Sequence, residues 1–337
     1  DGGDGAWRIV EHALDAQARE PRRLGDDDRV PAAADQHESG GDHASTIGRG
    51  CGRPVDFGMD ALRIAYVRYL NTRPLVEGLE KLAGVELIPA APSHIADLVA
   101  DGRADVGLVS LVDAARAGAR LAPLPVGMIG CDGPTLTVRL HSAVPFERVT
   151  RVYADVESHT SVALCGVLLA ARFGVRPEFA PFDARERSGA AGGEEWPETL
   201  LVIGDKVVTD PPPEGRYAHT LDLGAVWRER TGLPFVYAAW MCRAEEADSP
   251  RIGAACALLD RQRRRNEKRL GWIVARRAPE HRWPGELARE YVGDLLRFRV
   301  GEREREAVAR FLREAAALGI VERTDLEWVE AGAAQVA

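Results

Sequence analysis

From residue 62 onward the apolar positions switch between a strand period and a helix period. Residues 62–66 read as a strand, 73–82 as a helix and 85–89 as a strand. Ser93 looks like the N-cap of a helix over 94–101 that Gly102 stops, and 106–109 is a short apolar strand. This β-α-β-α-β order predicts a parallel sheet with right-handed crossovers. Over 135–142, Leu136, Val138 and Leu140 alternate with Thr137, Arg139 and His141, which predicts a strand with Thr137 on the same face as Arg139 and His141. A second set of elements follows: a strand over 149–156, a helix over 162–173, and strands over 178–181 and 200–203. Residues 236–240 form another apolar run, and helices are predicted near 250–276, 284–298 and 302–318. The last carries Val308, Phe311, Leu312, Ala315 and Leu318 on one face and ends at Gly319. The pattern predicts an α/β fold of two lobes: 59–146 with 236–330 in the first, 147–235 in the second. Ligands of such folds lie in a cleft near strand C-termini and helix N-termini, with closure by a hinge.

Residues 1–58 depart from this pattern. They carry 12 acidic and 7 basic residues and few aliphatic ones after Leu24. Such a segment buries too little apolar surface to offset its ordering entropy, so it is expected to be a disordered or spurious N-terminal extension. The whole chain has 337 residues, a net charge of −8 and no apolar run near the roughly 20 residues a membrane span needs. The charge argues against nucleic acid as a partner. Five scattered cysteines with no C-x-x-C spacing suggest neither a disulfide framework nor a zinc site, and no secretory signal is evident at the N-terminus. A reducing, cytoplasmic setting is expected, with no membrane partner and a monomer or homodimer as the assembly.

Candidate chemistry gathers at three places. Ser158, His159, Thr160 and Ser161 stand where a strand hands over to a helix. A helix N-terminus has unpaired N–H groups and a dipole that favours negative charge, so its hydroxyls either cap the helix or help hold a carboxylate or phosphate. Asn71 sits in the loop after the first strand, either as a ligand-binding side chain or, like Thr72, as a mere helix cap; the Asn71 amide can donate and accept at once. Asp205 ends an apolar strand after Gly204, as either a polar acceptor in the cleft or a turn aspartate. No histidine pair has metal spacing, and neither a G-x-G-x-x-G nor a phosphate-binding P-loop occurs. The basic run 261–269 reads as a solvated helix face.

Several stretches taken in order add a resemblance. They are Tyr69-Leu70-Asn71-Thr72-Arg73-Pro74-Leu75, Ala104-Asp105-Val106-Gly107-Leu108-Val109, Cys131-Asp132-Gly133-Pro134 and Ser158-His159-Thr160-Ser161-Val162. Leu201-Val202-Ile203-Gly204-Asp205, Asp222-Leu223-Gly224 with Trp227, the run from Thr231 to Trp240, and Tyr291, Leu295 and Phe298 before Gly301 complete the set. Across roughly residues 60–330 these resemble the chorismate dehydratases of the futalosine route to menaquinone. The resemblance implies a type II periplasmic-binding-protein-like fold and a carbon–oxygen lyase. Such an enzyme removes water from chorismate, a small dicarboxylate, to give 3-[(1-carboxyvinyl)oxy]benzoate with no metal or organic cofactor. It implies that Asn71 is the essential catalytic residue, that Thr137 contacts a carboxylate, that Ser158, Thr160 and Ser161 form an anion cradle, and that Asp205 lies at the cleft wall. The family often has Arg where this chain has His159, whose side chain is expected to point away from the anion. A solute-binding protein of the same fold and the sister enzyme that makes dihydroxynaphthoate are the alternatives.

Overall fold

The computed structural model describes residues 60–116, 118–155, 159–182 and 196–330. The extension 1–58, Ser158 and residues 183–195 lie outside the described residues. The strands in chain order are β1 (Leu62–Tyr66), β2 (Val85–Pro89), β3 (Val106–Ser110), β4 (Leu121–Cys131), β5 (Val138–Ser142) and β6 (Arg151–Asp155). They continue with β7 (Glu178–Phe182), β8 (Thr199–Ile203), β9 (His219–Asp222), β10 (Phe235–Arg243) and β11 (Leu296–Arg297).

Two sheets result. One has the order β11-β4-β10-β3-β1-β2 and the other β7-β6-β8-β5-β9. β1 runs parallel to β2 and β3, as the β-α-β pattern requires, whereas β10 returns antiparallel between β3 and β4. In the second sheet β6 is parallel to β7 and β8, and β5 is antiparallel to β8 and β9. The chain thus passes from the first sheet to the second over 132–137 and returns over 232–234. β3 is buried along Val106–Val109 because helices cover its sheet on both faces. The fold is the two-lobed α/β architecture with a cleft between lobes.

Several expectations are corrected. The first lobe does not reach residue 146: β5 pairs with β8 and β9, so the second lobe begins at the 132–137 crossing. The strand expected over 135–142 starts only at Val138, because Leu136 has φ 69 and turns the chain. The helix expected over 73–82 stops after Val76, and Gly78 takes φ 92. The reason is tertiary: the Glu77 carbonyl accepts from Gln262 Nε2 (2.5 Å) and Asn266 Nδ2 (3.0 Å) rather than from a helical N–H. Ser93 caps nothing, since the helix Pro92–Ala100 begins at Pro92 with Ala91 at the N-cap. β4 is a strand that the pattern hides, because Pro123 and Pro125 argue against one. The prolines are tolerated because β11 covers only Gly130 and Cys131, and a register shift on the β10 side absorbs 124–127.

The basic run 261–269 is not simply a solvated face. Gln262, Arg263 and Asn266 are buried on the helix Pro250–Glu267. Asn266 Nδ2 also reaches the Pro74 carbonyl at 3.1 Å, and Arg277 holds the Glu77 carboxylate with two bonds of 2.8 Å. These side chains fasten the segment that follows Asn71. Nearby arginines, Arg277 foremost, hold the Glu77 carboxyl below the usual range despite burial. Asn266→Ala is therefore expected to lower stability by about 2 kcal/mol, the cost of leaving the Pro74 carbonyl without this donor and of losing one of the bonds to the Glu77 carbonyl, measured by urea unfolding.

His141 on β5 packs beside Tyr217, and burial, followed by the Arg139 charge, pushes its imidazole down to about 4. An unfolded histidine titrates near roughly 6.5. The folded state thus binds fewer protons between these values, and this contribution to stability is full above about pH 6.5 and lost as the pH falls toward about 4. His141→Gln is expected to flatten the decline in Tm between pH 7 and 4.5, read by thermal circular dichroism.

Candidate functional site

The first wall of the cleft follows β1. Thr72 Oγ1 donates to the Val67 and Tyr69 carbonyls, both at 2.7 Å, and folds 67–72 into a tight turn. Thr72 stands at the N-cap of the helical turn Arg73–Val76 without capping it, because its hydroxyl is committed backward. Pro74, Leu75 and Val76 are buried below the turn, so Asn71 is held toward the cleft. Its amide reaches the Tyr291 hydroxyl, while its Oδ1 is buried with no partner in the protein. A buried acceptor left unpaired is costly unless a ligand supplies a donor.

The second wall comes from the crossing and the second lobe. Thr137 Oγ1 and the Tyr291 hydroxyl share a hydrogen bond of 2.8 Å, and Thr135 Oγ1 and the Tyr237 hydroxyl share one of 2.7 Å. Cys131 Sγ lies 3.0 Å from Thr135 Oγ1. The helix His159–Phe173 contributes Thr160 and Ser161 at its first turn. Burial raises the hydroxyl pKa of Tyr237 and Tyr291 far above the ordinary value and pushes the Cys131 thiol up to about 11. All three stay protonated at neutral pH and act as neutral hydrogen-bonding groups.

These side chains line one cavity of about 100 Å³, set in about 710 Å³ of empty space that includes its open mouth. The structure brings Asn71, Thr137, Thr160 and Ser161 together there, beside Tyr69, Ser110, Thr135, Tyr237 and Tyr291. Among the described residues the lining has no Asp, Glu, Lys, Arg or His. Its polar groups are hydroxyls and one amide, at the positive end of a helix dipole. The arrangement can hold a small anion by neutral donors and accept a hydrogen bond from a ligand hydroxyl at Asn71.

Asp205 is placed differently. Its Oδ2 accepts from Leu70 N–H at 3.4 Å and pairs with His281 Nδ1 at 3.1 Å. It is thus neither a side-chain cap nor a cavity-lining group; it ties the second lobe to the first. A matching tie stands on the other side. Ser110 Oγ and Thr160 Oγ1 are 2.7 Å apart, and His159 Nδ1 is 2.6 Å from Asp113 Oδ1, so His159 turns away from the cavity toward the first lobe. Sequence reasoning missed Ser110, Thr135, Tyr237 and Tyr291 as site residues. Tyr237 sits in an apolar run and Tyr291 at one apolar position of a charged helix, so both read as core; the pair Thr135 and Thr137 flanking one residue was the available signal.

Residues 62–317 match a family described as menaquinone biosynthesis. The chorismate dehydratase of Thermus thermophilus is 29% identical over 192 residues, which span 53% of this chain and 68% of that protein. Among solved structures, a protein from Archaeoglobus fulgidus superposes with a TM-score of 0.55 at 14% identity, covering 77% of this chain and 98% of that one. The periplasmic aliphatic sulphonate binding protein of Escherichia coli does so with a TM-score of 0.51 at 14% identity, covering 80% of this chain and 90% of that one. These two likenesses show the fold: a periplasmic-binding-protein architecture of two lobes.

The Thr137–Tyr291 contact lends itself to a double-mutant cycle. Thr137→Val, Tyr291→Phe and the double variant are expected to show a coupling of about 1 kcal/mol in urea unfolding, the net worth of a buried neutral hydrogen bond.

Proposed function

The chain belongs to the menaquinone-biosynthesis family, and from that premise we propose that it is a chorismate dehydratase, a hydro-lyase that converts chorismate to 3-[(1-carboxyvinyl)oxy]benzoate and water. The observation that carries this reading is the convergence of Asn71, Thr137, Thr160 and Ser161 on one cavity with the Asn71 Oδ1 unpaired. The 29% identity to the Thermus thermophilus chorismate dehydratase supports it.

Chorismate has two carboxylates, a ring hydroxyl and an enol ether. Thr160 and Ser161, with the N–H groups of the first helical turn, suit one carboxylate. Thr137 suits a carboxylate oxygen through its hydroxyl. Asn71 suits the ring hydroxyl: its Oδ1 accepts from that hydroxyl and fixes the ring against Tyr291. The reaction breaks one ring C–H bond and the neighbouring C–OH bond and forms the double bond that completes the aromatic ring. The proton and the hydroxide leave together as water. Aromatisation supplies the driving force, so the protein's part is to orient the ring and to give the departing hydroxyl a hydrogen-bonding environment. With no carboxylate or imidazole in the described lining, the substrate's own carboxylate takes the ring proton in this reading and passes it to the departing hydroxyl, which leaves as water. The reading also places the protein in the cytoplasm; among the described residues no helix is long and apolar enough to cross a membrane.

Purified full-length protein incubated with chorismate is expected to form the aromatic product, followed by absorbance and by a mass lower by one water. Asn71→Ala is expected to keep the fold and to lower turnover by at least about tenfold, the scale of one oriented hydrogen bond. Chorismate bound without product would leave a non-catalytic anion binder of the same fold. Wild-type rates in Asn71→Ala would remove Asn71 from the reaction.

A further inference from the structure

Asp222 does two jobs with one carboxylate. As N-cap of the helix Leu223–Thr231 its Oδ1 accepts from Ala225 N–H at 3.1 Å. The same oxygen accepts from Thr135 N–H at 2.9 Å, and Oδ2 accepts from Leu136 N–H at 2.7 Å. The cap needs only the first of these bonds. The other two reach into the crossing that links the lobes.

Leu136 is the point of interest in that crossing. Its φ of 69 is a left-handed conformation that strains a leucine. The turn separates two faces. Leu136, Arg139 and His141 line an outer groove, whereas Thr135, Thr137 and Val138 line the cleft. An unturned strand would put Thr137 on the face of Arg139. The first turn of the helix is pressed onto this crossing. A Cβ on Gly224 would lie 2.1 Å from Thr135 Oγ1, 2.6 Å from the Gly133 carbonyl and 2.7 Å from Cys131 Sγ, so only glycine allows Asp222 to come this close.

We propose that Asp222 is a positioning residue for the cleft: its carboxylate holds Leu136 in the left-handed conformation that turns Thr135 and Thr137 toward the substrate. The kinetic part of this proposal rests on the dehydratase reading; the structural part does not.

The test uses Asp222→Asn. An amide oxygen in place of Oδ1 still accepts from Ala225 and Thr135 and keeps the cap, whereas an NH2 group in place of Oδ2 cannot accept from Leu136. Two measurements are made on the full chain, at a temperature where circular dichroism shows it folded. The first is kcat/KM for chorismate, expected to fall about tenfold, the scale of a lost oriented contact. The second is amide hydrogen exchange over 133–138, expected to speed up by about tenfold as local opening becomes easier. Adding Leu136→Gly, which adopts positive φ without strain, is expected to recover at least about threefold of the lost kcat/KM. A cap-only role predicts no such recovery. Unchanged kcat/KM in Asp222→Asn, or no recovery in the double variant, overturns the positioning role. Unchanged exchange overturns the hold on Leu136. If the wild type does not convert chorismate, the dehydratase reading fails by itself, and the exchange data still decide whether Asp222 holds Leu136.

Discussion

Two sheets that share a cleft must pass the chain between them twice, and here the first passage also furnishes the cleft. Residues 132–137 leave β4 and enter β5, and on the way they deliver Thr135 and Thr137 to the lining. That passage has no sheet to pair its amides. Its N–H groups at 135 and 136 go to the Asp222 carboxylate, which belongs to the second lobe. Buried N–H groups need acceptors, and a charge-assisted bond is the strong way to supply one. The rest of the architecture leans on this contact: the orientation of β5, the close approach of the helix at Gly224, and the facing of both threonines toward tyrosine hydroxyls.

The two lobes are further tied on both flanks of the cleft. Ser110 and Asp113 of the first lobe meet Thr160 and His159 of the second, and Asp205 of the second meets Leu70 and His281 of the first. The ionisable partners are thus spent between lobes and not in the cavity. The described lining is left with hydroxyls, an amide and the end of a helix dipole. In a site of low dielectric such neutral donors bind a carboxylate without the desolvation cost of burying a cation. In the proposed reaction this matters, since the elimination moves one proton and needs a ring held in one orientation more than it needs a permanent charge.

Much of the fold was legible because local pattern and final structure agree. The boundaries of β1 and β2 coincide with the alternation, and the C-terminal helix ends where Gly319 takes φ 74. The illegible parts have tertiary causes. The helix after Asn71 is cut short by side chains that reach it from a helix almost two hundred residues later. β4 is hidden by prolines that only its near-edge position tolerates. At the site, Asn71, Thr137, Thr160 and Ser161 were readable as polar residues at element junctions. Tyr237 and Tyr291 were not, because an aromatic in an apolar run or on the apolar stripe of a helix is ordinarily core and only the fold shows that their hydroxyls meet threonines. Asp205 failed in the opposite sense: its place after a strand suggested a cleft group, but the first lobe closes over it and takes its carboxylate.

In the proposed reaction the space between the lobes holds the ring of a small dicarboxylate. A crystal structure of the full chain soaked with 3-[(1-carboxyvinyl)oxy]benzoate tests it most directly. Density for the aromatic ring is expected between Asn71 and Thr137, with one carboxylate on the Thr160 and Ser161 turn. Product bound elsewhere, with this cleft empty at saturating concentration, would contradict it.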